Sequence, residues 1–455
     1  MQALPQHFQA AFKDADIRGL YPSEINECSV YRVGVCLVQQ HKLKTVVVAR
    51  DMRTSSPSLH QALVNGIRDA GAKVEDLGLV PTAVLYHAAG SLDSWGVMIT
   101  ASHNPADYNG LKIVRAGAVP LTGKTGLNDL KRAIAKEVTL VSKRGGYQKR
   151  SVWSDYLRKG VKTIPLPKHG NLRIAIDAGN GMSAVLFERA KAYLPGTVTL
   201  LNDRLDGTFS VRGSNPMLRK NQKPIRVAMK TGQYDLGIAC DGDGDRVAFF
   251  MADGTMPNSA VVGSLLIDRL LETNPKSAAV YTVFTSRIYQ ETITRAGGQP
   301  KKARVGHAFI KEEMRKQDAI FACEHSGHFY FRDNYYADSV WLALRQVVAA
   351  MEISQKSLRE LLLPYQCYTQ TEEVLLRVQD KKQVLETLAT KHKSTAERVV
   401  RYDGVSVYYP DYWFVVKPSV TEDALKFVVE APKSATARAM KQQLHSELVA
   451  LDTKT

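Results

Sequence analysis

The residues best suited to covalent or metal chemistry stand in four short segments. The first is TASHNPADYNGLK, residues 100–112, where Ser102 lies in a polar turn beside His103 and after the strand-like run WGVMIT. A serine hydroxyl is a poor nucleophile unless a base takes its proton or it already carries a phosphoryl group. Thr100 and Asn104 occupy the positions where a hydrolase nucleophile elbow needs glycine, which argues against that arrangement. Taken alone, the segment equally suits a plain turn, because Ser, Asn, Pro, Asp and Gly all favour turns.

The second segment, DGDGDR, residues 241–246, places Asp241, Asp243 and Asp245 at alternate positions with glycines between them. Three carboxylates at this spacing can converge on one hard cation, and without a counter-ion they repel. An EF-hand fits poorly, since Arg246 and Ala252 stand where that loop needs Gly and Glu. Oxygen-only ligands favour magnesium or calcium, and magnesium suits phosphate chemistry better.

The third segment, CEHSGH, residues 323–328, offers Glu324, Ser326 and His328 as acceptor, hydroxyl and imidazole, a set that suits sugar hydroxyls or simply local backbone. The fourth, KPSVTED, residues 417–423, combines a lysine, two hydroxyls and turn amides, which can cradle a phosphate.

Positioning these loops requires strands and helices around them. TVVVA (45–49), WGVMIT (95–100), RIAID (173–177), TVTLL (197–201) and AAVYTV (278–283) read as strands. Leu59, Leu63 and Ile67, then Leu127, Leu130 and Ile134, recur at helical spacing, and further helices are expected near 183–193 and 224–231. DLGIA (235–239) and VAFFM (247–251) flank the acidic loop like the arms of a hairpin, and AIFA (319–322) precedes the CEHSGH segment. The order implies three successive α/β units. The last stretch differs: EEVLLRV and ALKFVVEA look like strands, and Met440, Leu444 and Leu448 mark a closing helix, which together imply a small α+β domain. In open α/β sheets ligands bind beyond the carboxyl ends of strands, where three of the four segments fall.

The 455 residues are too many for one ordinary core, so several domains are expected. No apolar run is long enough to cross a bilayer, and the N-terminus lacks the pattern of a secretory signal. Five cysteines, an odd count with no C-x-x-C, fit a reducing cytoplasm and give no support to a disulfide framework or a cysteine zinc site. The formal net charge of +16 suits an anionic partner. The basic residues are scattered without an arginine-rich tail or finger spacing, so neither nucleic acid nor membrane is expected as a partner.

Taken together and in this order, the segments resemble the α-D-phosphohexomutase family, and within it the bacterial phosphomannomutase/phosphoglucomutase branch. The likeness runs from DIRG (16–19) through ARDMRTSS (49–56), TASHNP, DGTF (206–209), DGDGDR, GHAFIKEEM (306–314) and EHSGH to KPSVTE. It implies three related α/β domains plus a C-terminal α+β, TBP-like domain around one active-site cleft. The expected domains are 1–150 with the phosphoserine loop, 151–253 with the metal loop, 254–366 with the sugar-specificity loops and 367–455 with the phosphate loop.

The resemblance further implies Ser102 as a phosphoserine, with Asp241, Asp243 and Asp245 holding magnesium against it. Arg18, His103 and Lys112 would support proton transfer and charge stabilisation, His328 joins the catalytic group, and Arg246 lies beside the metal loop. Gly306, His307 and Lys311 match the sugar-specificity loop, Glu324 and Ser326 the residues that hold the 3- and 4-hydroxyls, and Lys417, Ser419 and Thr421 the grip on the phosphate not being transferred. The implied activity is reversible interconversion of hexose 6-phosphate and hexose 1-phosphate, of mannose or glucose, through a hexose 1,6-bisphosphate that also serves as activator. The competing readings are a phosphoglucosamine mutase, a non-catalytic sugar-phosphate-binding relative and a magnesium-dependent phosphatase. Several positions depart from the family pattern: Lys417 stands for the usual arginine, Asp423 for proline, Ala322 and Cys323 for two glycines, and Ser339 for glycine.

Overall fold

A computed structural model describes residues 4–136, 138, 140–167, 169–419 and 423–452. The chain divides into two compact units, one of residues 1–257 and 326–361, the other of residues 258–325 and 362–455.

The first unit carries two sheets that matter for function. In the larger, the strands run in the order Ile17–Leu20, Tyr108–Arg115, Trp95–Ile99, Thr45–Arg50, Lys73–Leu79, Tyr147–Lys149. The inner strands pair in parallel, and Trp95–Ile99 turns back antiparallel onto Tyr108–Arg115. Val46, Val47, Val48 and Ala49 are all fully buried, as expected of a parallel strand covered on both faces. The helices Glu27–His41 and Ser56–Asp69 cover this sheet, with Leu59, Leu63 and Ile67 buried as their spacing predicts. The strand Tyr108–Arg115 includes Lys112, which sequence pattern had left in the serine loop; the alternation in YNGLKIVR is the signal for it.

The smaller sheet has the order Val247–Met251, Leu236–Cys240, Arg173–Asp177, Thr197–Leu201. Leu236–Cys240 and Val247–Met251 form the expected antiparallel hairpin, with Cys240 opposite Val247, so residues 241–246 are its loop. The same unit holds the antiparallel pair Phe329–Phe331 and Ala337–Asp338 and the helix Val340–Ser354. Ser339 caps that helix: its hydroxyl accepts from Leu342 N at 3.2 Å and lies 3.0 Å from the Tyr156 hydroxyl, a role glycine could not fill.

In the second unit Ala278–Thr282 pairs in parallel with Gln299–Ala303 and Phe321–Cys323. A separate antiparallel sheet runs Thr369–Gln370, Leu425–Ala431, Trp413–Pro418, Val405–Tyr408, Arg398–Arg401, backed by the helices Lys381–His392 and Ser434–Asp452. Leu444 and Leu448 are buried in its core, and Met440 packs against it half-buried. The predicted strand EEVLLRV shrinks to Val374–Leu376, which pairs with Leu425–Ala431. Cys323 fits against a missing side chain: a Cβ on Gly263 would meet its Sγ at 2.5 Å.

All five cysteines are free, and among the described residues no helix is long and apolar enough to cross a membrane. The helix Thr82–Ser91 contains a titratable group with a measurable consequence. His87 is buried between Tyr156 and Tyr335, and neither ring nitrogen has a hydrogen-bond partner among the described residues. Burial, reinforced by the charge of Lys159, lowers its pKa from 6.5 to about 4. Between these values the unfolded chain binds a proton that the folded chain refuses. Folding stability is therefore complete above pH 6.5 and falls as pH drops toward 4, by up to about 3 kcal/mol from this group. His87→Leu is expected to remove this loss, read as a smaller decline in urea-unfolding free energy between pH 7 and pH 4 than the wild type shows.

Candidate active site

Ser102 sits at φ 52°, in the left-handed region that costs a residue with a side chain about 1–2 kcal/mol. Two groups hold the strained turn. Ser102 N donates to Thr100 Oγ1 at 2.9 Å, and its carbonyl accepts from Arg53 Nη2 at 2.8 Å. This turn aims the hydroxyl at the acidic loop: Ser102 Oγ donates to Asp241 Oδ2 at 3.2 Å and lies 3.4 Å from His103 Nδ1. The approach of the two loops leaves no room for a side chain at Gly242, where a Cβ would lie 2.8 Å from the Ser102 carbonyl oxygen.

Asp241, Asp243 and Asp245 are almost wholly buried, and one carboxylate oxygen of each lies within 4.8 Å of the others. Burial and the two neighbouring carboxylates push Asp241 well above the usual carboxylate range. Burial acts on Asp245 in the same direction, but Lys112 and His328 outweigh it and hold that group well below the range. Lys112 Nζ donates to Asp243 Oδ2 at 2.7 Å and to Asp245 Oδ2 at 2.5 Å. Burial opposes the charge on Lys112, yet these two aspartates hold its ammonium well above the ordinary lysine value. Asp243 Oδ1 is buried with no hydrogen-bond partner among the described residues. An orphaned carboxylate oxygen in an all-oxygen cluster fits a bound divalent cation.

The remaining cations and imidazoles surround this cluster. Arg18 Nη1 donates to Asn104 Oδ1 at 2.8 Å and Nη2 to Asp16 Oδ2 at 2.5 Å. Burial works against its charge, but Asp16, Asp243 and Asp245 keep the guanidinium protonated. Burial, with Arg246 and Arg18 nearby, drives the His103 pKa well below its usual value, so its imidazole is neutral. His328 Nε2 lies 3.3 Å from Asp245 Oδ1 and 3.3 Å from Arg246 Nε, and its Nδ1 lies 3.0 Å from Ser326 Oγ. One unit thus brings together Ser102, His103, Arg18, Lys112, the three aspartates, Arg246, Ser326 and His328.

The other sequence-predicted residues lie in the second unit. Gly306, at φ 126°, precedes the helix His307–Lys316, in which Lys311 is buried. Glu324, also buried, follows the strand Phe321–Cys323. Lys417 is on the strand Trp413–Pro418, followed by Ser419, and Thr421 falls outside the described residues. Asp423 is 90 % exposed and pairs with Lys381 Nζ at 2.5 Å.

Five residues that support the site were not singled out by sequence. Arg53, fully buried, donates to the carbonyls of Ser102, Asn104, Pro105 and Tyr108, and so fixes the whole serine turn from one guanidinium. Phe209, of the DGTF segment, lies against that guanidinium at 5.1 Å. Arg212 ties Asp177 to the Cys240 carbonyl at 2.7 Å each, just ahead of the first loop aspartate, while Ser214 Oγ donates to the His103 carbonyl at 2.5 Å. Thr82, at the start of the helix Thr82–Ser91, donates its hydroxyl to Asp243 Oδ2 at 2.6 Å and its amide to the Asp243 carbonyl at 3.1 Å. The positive end of that helix therefore faces a carboxylate. ARDMRTSS and DGTF contain two of these features in sequence, but only distant contacts give them a purpose.

Comparison with known proteins gives this arrangement its context. Residues 9–140, 152–254 and 258–368 match the family descriptions "Phosphoglucomutase/phosphomannomutase, alpha/beta/alpha domain" I, II and III in turn. A phosphomannomutase of Salmonella typhimurium is 34% identical over 92% of this chain and 94% of its own length. The phosphohexose mutases protein of Xanthomonas campestris is 32% identical over 96% of this chain and 99% of its own. A phosphoglucomutase/phosphomannomutase family protein of Burkholderia thailandensis superposes with a TM-score of 0.86 at 28% identity, covering 97% of this chain and 98% of that one. On matches that span nearly its whole length, this chain belongs to the phosphoglucomutase/phosphomannomutase family of α-D-phosphohexomutases.

Proposed function

We infer that this protein is a phosphomannomutase/phosphoglucomutase, which interconverts hexose 6-phosphates and hexose 1-phosphates through a phosphoryl group carried on Ser102. The observation that carries the reading is the 3.2 Å approach of Ser102 Oγ to Asp241 inside a buried cluster of three carboxylates and two cations. Such a site suits a seryl phosphate, because a bare hydroxyl would need no such concentration of charge.

In the first half-reaction the bond between phosphorus and Ser102 Oγ breaks, and a new one forms to the free hydroxyl of the sugar phosphate. The proton of that hydroxyl leaves to a base, and Ser102 Oγ receives one from an acid. Neutral His103 is in the form that accepts a proton, while Lys112 and Arg18, both charged, offset negative charge on the transferring group. Asp241, Asp243 and Asp245 would hold magnesium, which when bound neutralises charge on the phosphoryl oxygens. The 1,6-bisphosphate then turns end over end and returns its other phosphoryl group to Ser102. Glu324 and Ser326 would hold the 3- and 4-hydroxyls in both orientations, and Lys417 and Ser419 the idle phosphate. Contacts to those hydroxyls leave C2 unread, so glucose and mannose phosphates both fit.

Coupled assays on mannose 1-, glucose 1- and glucosamine 1-phosphate, with magnesium and a hexose bisphosphate, test this reading. Mannose and glucose substrates are expected to turn over at rates within about tenfold of each other. Turnover of glucosamine 1-phosphate alone, or release of inorganic phosphate in place of an isomer, would refute it.

A further inference from the structure

We propose that Asp403 is a positioning residue that ties the sugar-specificity loop to the phosphate loop, acting through the Val305 amide and the Lys417 ammonium. The proposal rests on the mutase reading and adds to it a residue that the sequence did not single out.

Asp403 lies in the turn between the strands Arg398–Arg401 and Val405–Tyr408, at φ 49°, followed by Gly404 at φ 113°. Its carboxylate is only 8% exposed. A single oxygen, Oδ2, accepts from Val305 N at 2.8 Å and from Lys417 Nζ at 2.8 Å, and Arg304 Nε lies 3.8 Å from the other oxygen. Val305 immediately precedes Gly306 and His307, while Lys417 leads into Ser419. One carboxylate therefore holds the entry to both loops.

The turn is fitted to this purpose. A Cβ on Gly404 would come within 2.6 Å of the Lys417 Cβ, so the backbone packs directly against the lysine stem. The Tyr402 hydroxyl donates to the Lys302 carbonyl at 3.3 Å, and the Lys302 ammonium lies 5.1 Å from the Tyr402 ring, which adds two contacts from the same turn to the strand Gln299–Ala303.

An acidic group beside a phosphate-binding lysine would be a liability if charge alone mattered. Lysine, however, is a point charge on a flexible stem and lacks the rigid fork with which arginine orients itself. Its ammonium has three donors, so one can be fixed on Asp403 while a phosphate takes others. Fixing the lysine before substrate arrives lowers the ordering cost of binding. Asp403 should thus act on affinity, through the two loops it joins, and not on the chemical step.

Steady-state kinetics on mannose 1-phosphate with a bisphosphate activator test this. Asp403→Ala is expected to raise KM about tenfold, with kcat within about threefold of wild type, and Lys417→Met to raise KM at least as much. In the Lys417→Met background, Asp403→Ala is expected to raise KM by less than it does alone, because the Lys417 contact is already gone and only the Val305 contact remains to be lost. Thermal unfolding checks that each variant folds; if Asp403→Ala does not, Asp403→Asn, which keeps the acceptor oxygen but not the charge, takes its place with the same expectation. An unchanged KM in a folded Asp403 variant, or single effects that multiply in the double variant, would overturn the proposal while leaving the mutase reading intact. Wild-type protein that turns over no hexose phosphate would sink both.

Discussion

Ser102→Ala is expected to abolish hexose phosphate interconversion, lowering kcat by at least about 10⁴-fold in a coupled assay. The size of the effect follows from the role. An alanine has no oxygen to carry a phosphoryl group. The fold should survive, because the turn is held by contacts the hydroxyl does not make: Arg53 binds the Ser102 carbonyl and Thr100 Oγ1 accepts the Ser102 amide. Substrate binding, measured by calorimetry with glucose 1-phosphate, should change far less than turnover. Activity near the wild-type level would exclude a phosphoserine mechanism, whereas loss of activity together with loss of folding would be read from the melting curve.

Asp243→Asn is expected to lower kcat by about a thousandfold and to weaken the response of the rate to magnesium. Asp243 is tightly built into the site, since its Oδ2 accepts from both Lys112 and Thr82 while its Oδ1 has no hydrogen-bond partner among the described residues. Asparagine preserves the shape but removes one of the negative charges that would offset the cation and the Lys112 ammonium. Magnesium binding, followed by calorimetry on the unreacted protein, should weaken in parallel, which separates a ligand role from a purely electrostatic one. Full turnover in this variant, or undiminished turnover of the native enzyme in excess chelator, would count against a metal at this cluster.

How much of the site was legible in sequence depended on the range of the interactions. Asp241, Asp243 and Asp245 are marked by their spacing, and the structure brings one carboxylate oxygen of each together. The hairpin that carries them was equally plain, since its strands are short apolar runs on either side of the turn. Ser102 was marked by its turn, and only the joint presence of the other segments gave it chemistry.

The parts that were not legible share a cause. Arg53 lies 49 residues from the carbonyl it holds, Thr82 lies 161 residues from Asp243, and Asp403 lies 98 residues from the amide it binds. No local pattern records such pairings. Lys112 was placed in the loop when it belongs to a strand, because the polar residues before it masked the alternation that follows. Asp423 reads in sequence as an unpaired carboxylate, and its pairing with Lys381, 42 residues before it, depends on the helix Lys381–His392.

The most direct test of the account is to follow the phosphoryl group itself. Purified protein, charged with a hexose 1,6-bisphosphate carrying labelled phosphate, should hold label on the peptide containing Ser102, and should pass it to unlabelled hexose 6-phosphate within the time of a turnover. Label that never appears on Ser102, or that stays there while substrate is converted at the full rate, would contradict the account.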